Sequence, residues 1–129
     1  MMNASDISPH LLDDASVRQF LIDGSIQVRA EFPDDIHGRL YSGLEQLFDA
    51  GNPGNNILPQ LPELDAIYQH PAVRGALTSL LGPGYFMHPH RYCHLHNPGS
   101  DNQNWHKDDY IYDWNVRHHR FRWVMAFYY

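Results

Sequence analysis

Residues 82–96 read GPGYFMHPHRYCHLH, and this stretch decides the fold that the sequence predicts. Ahead of it, apolar side chains recur at the three- and four-residue spacing of helices. The opening Gly-Pro-Gly interrupts that pattern, and from Tyr85 to His96 the spacing changes to two, which is typical of a strand. Helices followed by strands predict an α+β fold.

The same spacing rules divide the whole chain into elements. The helices are predicted at Ala15 to Asp23, Pro33 to Asp49, about 60–69 and about 72–81. The strands are predicted at Ser25 to Ala30, Tyr85 to His96, Trp105 to Tyr110 and Phe121 to Tyr129, with a turn at 97–100. Residues 1–129 therefore form one predicted domain, with a mainly helical scaffold over 1–83 and strands over 84–129.

Composition excludes several classes of protein. A formal net charge of -6 argues against nucleic-acid binding, which draws its affinity from cationic contacts with phosphate. A single cysteine, Cys93, rules out an internal disulfide and a cysteine-based zinc site. The first residues lack the pattern of a secretory signal, and no apolar run approaches the roughly 20 residues that span a bilayer. These features predict a cytoplasmic protein without a membrane partner.

Chemistry-bearing residues concentrate in the last third of the chain. Seven of the ten histidines follow residue 84, whereas all three glutamates precede residue 64. Within this region His106 and Asp108 are separated by one residue, so both side chains lie on one face of an extended strand. One imidazole and one carboxylate are two of the three ligands of the facial triad that binds Fe(II). A surface turn, with Asp108 as a cap, is the structural alternative.

A series of motifs resembles the phytanoyl-CoA dioxygenase family. The motifs occur in the same order as in that family: Phe20-Leu21-Ile22-Asp23-Gly24-Ser25-Ile26, Pro71-Ala72-Val73, Leu80-Leu81-Gly82-Pro83-Gly84-Tyr85, His88-Pro89-His90-Arg91, Asn97-Pro98-Gly99-Ser100, Gln103-Asn104-Trp105-His106-Lys107-Asp108 and Arg117-His118-His119-Arg120-Phe121-Arg122-Trp123. The resemblance implies a double-stranded β-helix, or jelly-roll, with the N-terminal helices packed on its first strands. It also implies a dioxygenase that uses Fe(II), 2-oxoglutarate and O₂ to hydroxylate an aliphatic C–H bond of a small molecule or an acyl thioester.

The resemblance assigns roles to individual residues. His106 and Asp108 match the first two metal ligands, and Phe127 or Tyr129 matches an aromatic side chain that flanks 2-oxoglutarate. The family's third ligand, a histidine, and its arginine-type anchor for 2-oxoglutarate lie many tens of residues further on. We therefore expect this chain to be an N-terminal fragment with an incomplete barrel and no activity of its own. No specific protein partner is predicted.

Two other functions remain open. The chain could be a non-catalytic remnant that keeps the scaffold alone. Alternatively, His88, His90, His94 and His96 share one face of their predicted strand and could form a cupin-like metal site. The alternation leaves open whether that face or the one with Arg91 and Cys93 points inward.

Overall fold

The computed structural model describes residues 9–32, 35–101, 104 and 123–129. In these residues the regular elements are α1 (Asp14–Asp23), α2 (Ile36–Asp49), α3 (Asp65–Gln69) and α4 (Pro71–Leu81), with a 3-10 turn at Pro62–Leu64. The predicted helices are confirmed, and the one expected near 60–69 divides into the 3-10 turn and α3. No helix in the described ranges has the length and apolar character that crossing a membrane requires.

Local capping explains where α1 begins and ends. The Asp13 side chain accepts a hydrogen bond of 2.8 Å from the backbone N–H of Ser16 and so satisfies one free donor of the first turn. Gly24 follows the last turn with φ 74°, in the left-handed region, and its N–H donates to the carbonyl of Phe20. Glycine adopts this conformation without steric cost, and the predicted end of the helix at Asp23 is confirmed.

The hydrophobic core lies between α2 and the segment that leads into α3. Its buried members, contributed by α2, the loop before the 3-10 turn, that turn and α3, are Ile36, Leu40, Ile57, Leu64 and Ile67. Leu40 is the most deeply buried of them, with 1% of its surface exposed. Burying one such side chain contributes about 1.5–3 kcal/mol, so this small cluster is the main source of stability in the described part.

Helix α4 supports the N-terminal segment. The backbone N–H of His10 donates to the carbonyl of Pro71 at 3.0 Å, and that of Leu12 donates to Ser79 Oγ at 2.9 Å. Gly75 lies directly beneath the backbone of His10, and a Cβ at this position would overlap the His10 carbonyl. A helical glycine usually costs about 1 kcal/mol relative to alanine, and here it allows the close approach of the segment.

The predicted α+β fold with a jelly-roll is wrong for the described residues, which contain no strand and no sheet. Ser25 to Ala30 and 123–129 are irregular, and the stretch from Tyr85 to His96 makes one isolated parallel bridge, between Arg91 and Asn56. Alternation describes a two-sided segment, but a strand also needs a neighbouring backbone to pair with it. Among the described residues only the loop around Asn56 supplies such pairing. Trp105 to Tyr110 lies outside them.

The turn predicted at 97–100 is confirmed. The N–H of Ser100 donates to the carbonyl of Asn97 at 3.0 Å, and the N–H of Asn97 donates to Ser100 Oγ at 3.1 Å. Gly99 has φ 83° and follows Pro98, which is the residue order that a type II turn favours.

Candidate functional site

The segment from Tyr85 to Asp101 lies along the helical core, and its two sides have different surroundings. Arg91 donates its N–H to the carbonyl of Asn55 at 2.6 Å and accepts from the N–H of Ile57 at 3.2 Å. Cys93 is partly buried against the core cluster. Burial raises the pKa of the Cys93 thiol, and it also raises the pKa of the neighbouring Tyr68 hydroxyl. The side with Arg91 and Cys93 therefore faces the helices, which the alternation alone had left open.

The opposite side carries a line of exposed rings, which we call the ring row: His90, Tyr92, His94 and His96. Ring centroids are 6.3 Å apart for His90 and Tyr92, 4.7 Å for Tyr92 and His94, and 6.2 Å for His94 and His96. The extended backbone produces this order, because every second side chain points the same way.

His88 has different surroundings from the ring row. It is half-buried, and its Nδ1 accepts a hydrogen bond of 3.1 Å from the backbone N–H of His90. Its ring meets Trp123 edge-on at 5.3 Å. The four histidines that share parity thus do not converge as one ligand set.

No group of three or more histidine, cysteine, aspartate or glutamate side chains is arranged to hold a metal ion within the described ranges. The cupin-like alternative therefore lacks a preformed three-ligand set on this face. His106 and Asp108, the predicted ligands, lie outside the described residues, so their pairing stays a prediction.

The predicted 2-oxoglutarate-flanking residues are at the surface. Phe127 is 64% exposed and Tyr129 is 102% exposed, and their rings stack on each other with centroids 6.2 Å apart. Neither of them lines the cavity between α3 and α4 or the groove along α2. In this structure they are solvent-facing, and their role towards 2-oxoglutarate stays a prediction.

Tyr128, which the sequence reasoning did not single out, is the residue that attaches this segment. Its hydroxyl lies 2.6 Å from Nδ1 of His37 on α2, and the two rings stack at 5.7 Å. The side chain packs against the core, and burial raises the pKa of its hydroxyl. The sequence signal for this contact was the alternation of side chains along the segment. If Phe127 and Tyr129 point outward, Tyr128 between them points inward.

A cavity lies between α3, α4 and the start of the extended segment. It has a volume of about 380 Å³, which falls within the range of small-molecule sites. Its polar lining comes from Tyr68, Gln69, Arg74, Thr78 and Tyr85. Among the described residues, none of those predicted to bind metal or 2-oxoglutarate lines it.

Each residue of the isolated bridge carries a buried side-chain atom without a hydrogen-bond partner among the described residues. Asn56 Oδ1 and Arg91 Nε have no hydrogen-bond partner among the described residues, whereas Arg91 Nη1 lies 3.7 Å from the sulfur of Met87. Buried polar groups are nearly always paired, so this is the least satisfied point of the described interior.

No family model, no curated protein and no solved structure matches this chain. The class that the described residues define is a small helical unit with an extended, ring-rich segment along one side.

Proposed function

We propose that this chain provides part of an Fe(II)- and 2-oxoglutarate-dependent dioxygenase, which hydroxylates an aliphatic C–H bond of a small molecule or acyl thioester. The observation that carries the proposal is the Trp105-His106-Lys107-Asp108 motif, within the ordered series that resembles the phytanoyl-CoA dioxygenase family. Because the described residues form no jelly-roll, the proposal rests on the motif and not on the fold.

The donor chemistry of the motif suits the metal. A neutral imidazole from His106 and a carboxylate from Asp108 are the mixed nitrogen and oxygen donors of Fe(II) facial sites. Bound Fe(II), together with 2-oxoglutarate, supplies the O₂ activation that the reaction needs. Protons compete with the metal for both donors, so binding weakens in acid. The proposal assigns the third ligand to no residue of this chain.

The described segments on either side of the motif both contact the helical core. Cys93 packs on the core before it, and Tyr128 contacts His37 after it. The motif is therefore flanked by two segments that are attached to the same scaffold. This supports a role for the helices as a platform for the metal-binding stretch.

Titration of the chain with Mn(II), a redox-stable substitute for Fe(II) that also accepts oxygen donors, tests the proposal by electron paramagnetic resonance. Two protein ligands predict weak binding, which His106→Ala and Asp108→Ala each reduce at least fivefold. The matched control is His10→Asn, a change of an exposed histidine at the far end of the chain, which leaves binding unchanged. Equal affinity in all three variants would contradict the metal site.

A second measurement separates a dioxygenase site from a plain metal site. 2-Oxoglutarate chelates the metal through its 2-oxo and carboxylate oxygens, so it should tighten Mn(II) binding by the wild-type chain. Glutarate lacks the 2-oxo group and should not. If 2-oxoglutarate and glutarate have the same effect, the dioxygenase proposal is wrong even where the metal binds.

A further inference from the structure

We infer that His94 and His96 form a two-imidazole site for a divalent transition metal of the zinc, nickel and copper group, separate from His106 and Asp108. Both side chains are exposed on the same side of the extended segment, and their ring centroids are 6.2 Å apart with planes inclined by 23°. No hydrogen bond to either ring is present within the described part of the chain. The ring nitrogens can therefore turn to a metal without breaking a hydrogen bond there.

The distance requires only a small adjustment. Two imidazoles on one tetrahedral Zn²⁺, each with a metal–nitrogen distance of about 2.0–2.1 Å, place their ring centroids about 5–5.5 Å apart. The observed separation is larger by about 1 Å, which side-chain rotation can close. The nearly parallel planes must also turn so that both nitrogens point to one centre.

A neighbouring aromatic residue limits the motion of one ligand. The His94 ring packs edge-on against Tyr92 at 4.7 Å, with an interplanar angle of 67°. The Tyr92 hydroxyl accepts a hydrogen bond of 2.9 Å from Asn52 Nδ2, and Asn52 Oδ1 accepts one of 2.8 Å from the N–H of Gly54. These contacts attach Tyr92 to the loop before α3. Such supporting contacts lower the entropic cost of metal binding because they orient the ligand beforehand.

Two hydrogen-bonded points bound the backbone that carries the two histidines. The bridge at Arg91 precedes them, and the type II turn closed by Asn97 and Ser100 follows them. Between these points the alternation of side chains puts positions 94 and 96 on the same side, and both of these side chains are exposed.

The donor set decides which metals bind. The two side chains of the proposed site, His94 and His96, both offer imidazole nitrogens. Such sites favour Cu(II) over Ni(II) and Zn(II), and they bind Mn(II) and Mg(II) poorly. Water completes the coordination, since the described residues offer no third protein ligand in place. The result is an exchangeable surface site and not a closed structural one.

Isothermal titration of the full chain with Zn(II) and with Ni(II) tests the inference. We expect a site that His94→Asn and His96→Asn each weaken at least tenfold, because one imidazole remains in each variant. His10→Asn is the matched control. Loss of affinity no larger than in this control would overturn the inference.

A composition-matched variant tests the spacing. In the double substitution Leu95→His/His96→Leu the number of histidines is unchanged, but the second imidazole moves to the other side of the extended segment. The double variant should bind as weakly as His96→Asn. Wild-type affinity in the double variant would mean that histidine content alone binds the metal, and the proposed site would be wrong.

Electron paramagnetic resonance of the Cu(II) form counts the bound nitrogens. Two imidazole nitrogens are expected in the wild type and one in each single variant. His106→Ala should leave this spectrum unchanged, and His94→Asn should leave Mn(II) binding at the motif unchanged. These measurements can therefore disprove one metal site without disproving the other. A spectrum with one bound nitrogen in the wild type would contradict joint binding of one metal ion by His94 and His96.

Discussion

Two regions of the molecule satisfy their backbone hydrogen-bonding groups in different ways. They are the helical region, residues 9–81, and the extended segments, 85–101 and 123–129. Helices pair their own N–H and C=O groups, so α1, α2, α3 and α4 need neighbours only to bury side chains. Extended segments must find a partner for every backbone group, and among the described residues of these segments only Arg91 pairs with the backbone of another part of the chain. The consequence is visible at the surface, where most of the exposed large apolar side chains come from the extended segments: Phe86, Met87, Tyr92, Leu95, Trp123, Met125, Phe127 and Tyr129.

The two regions meet at a few defined points. These are the bridge between Asn56 and Arg91, the packing of Cys93 on the core, and the hydrogen bonds of Tyr92 and Tyr128. Stability therefore comes mainly from the helical core, whereas the position of the extended segments depends on single side chains.

The sharpest test of this asymmetry is Leu40→Ala, which removes the most deeply buried side chain of the core. The loss of burial and the cavity left behind should lower the free energy of unfolding by about 2–5 kcal/mol. Urea denaturation followed by circular dichroism measures it. Leu21→Ala, at a position that is 59% exposed, is the control and should change stability by less than about 0.5 kcal/mol. Equal losses in both variants would show that the core is not where stability lies.

A smaller effect is expected from Tyr128→Phe, which removes the hydroxyl that contacts His37. One hydrogen bond is worth about 0.5–1.5 kcal/mol, so the helices should remain folded while 123–129 detaches from α2. The measurement is the nuclear Overhauser contact between the ring of residue 128 and that of His37. Tyr129→Phe, in which the altered ring is fully exposed, should preserve it. A retained contact in Tyr128→Phe would mean that ring packing alone holds the segment.

The smallest effect concerns the pH dependence of α1. Hydrogen bonds from the Ser16 side chain and backbone hold the pKa of the Asp13 carboxyl below its usual range. Because the folded-state pKa is lowered, the capping contribution is complete above the pKa of the unfolded chain and is lost as pH falls through the lowered pKa. The chemical shift of the Ser16 amide proton should report this loss in an acid titration.

Asp13→Asn is the companion variant, since asparagine also caps helices but does not titrate in this range. It should keep the cap and abolish the acid transition of the Ser16 amide. An unchanged transition in Asp13→Asn would assign it to a different carboxyl group.

The sequence predicted the helices because their signals are local. Gly24 after α1, Asp35 before α2 and Pro71 at the first turn of α4 each act within one turn of the chain. The predicted strand from Tyr85 to His96 failed because pairing depends on which other segment lies alongside, and that is a long-range property.

The candidate sites likewise combine features that the local sequence predicts with features that depend on long-range contacts. Parity alone grouped His88, His90, His94 and His96 on one side of their segment, and the structure exposes the last three but half-buries His88. It could not say that Cys93 would be the inward residue, because two faces are equivalent until a core is placed against one of them. The contact of Tyr128 with His37 joins positions 91 residues apart, which no local pattern encodes.

The 91-residue separation between His37 and Tyr128 also means that His37 is synthesised well before its partner. At a synthesis rate of about 5–20 residues per second, His37 is made roughly 5–18 s before Tyr128. Helices form in microseconds or less, so α2 can complete its local structure long before its aromatic partner exists. In the complete structure the His37 ring also lies 5.6 Å from Phe32, which is synthesised just before it. The last described segment is therefore added to a surface that earlier residues have already shaped.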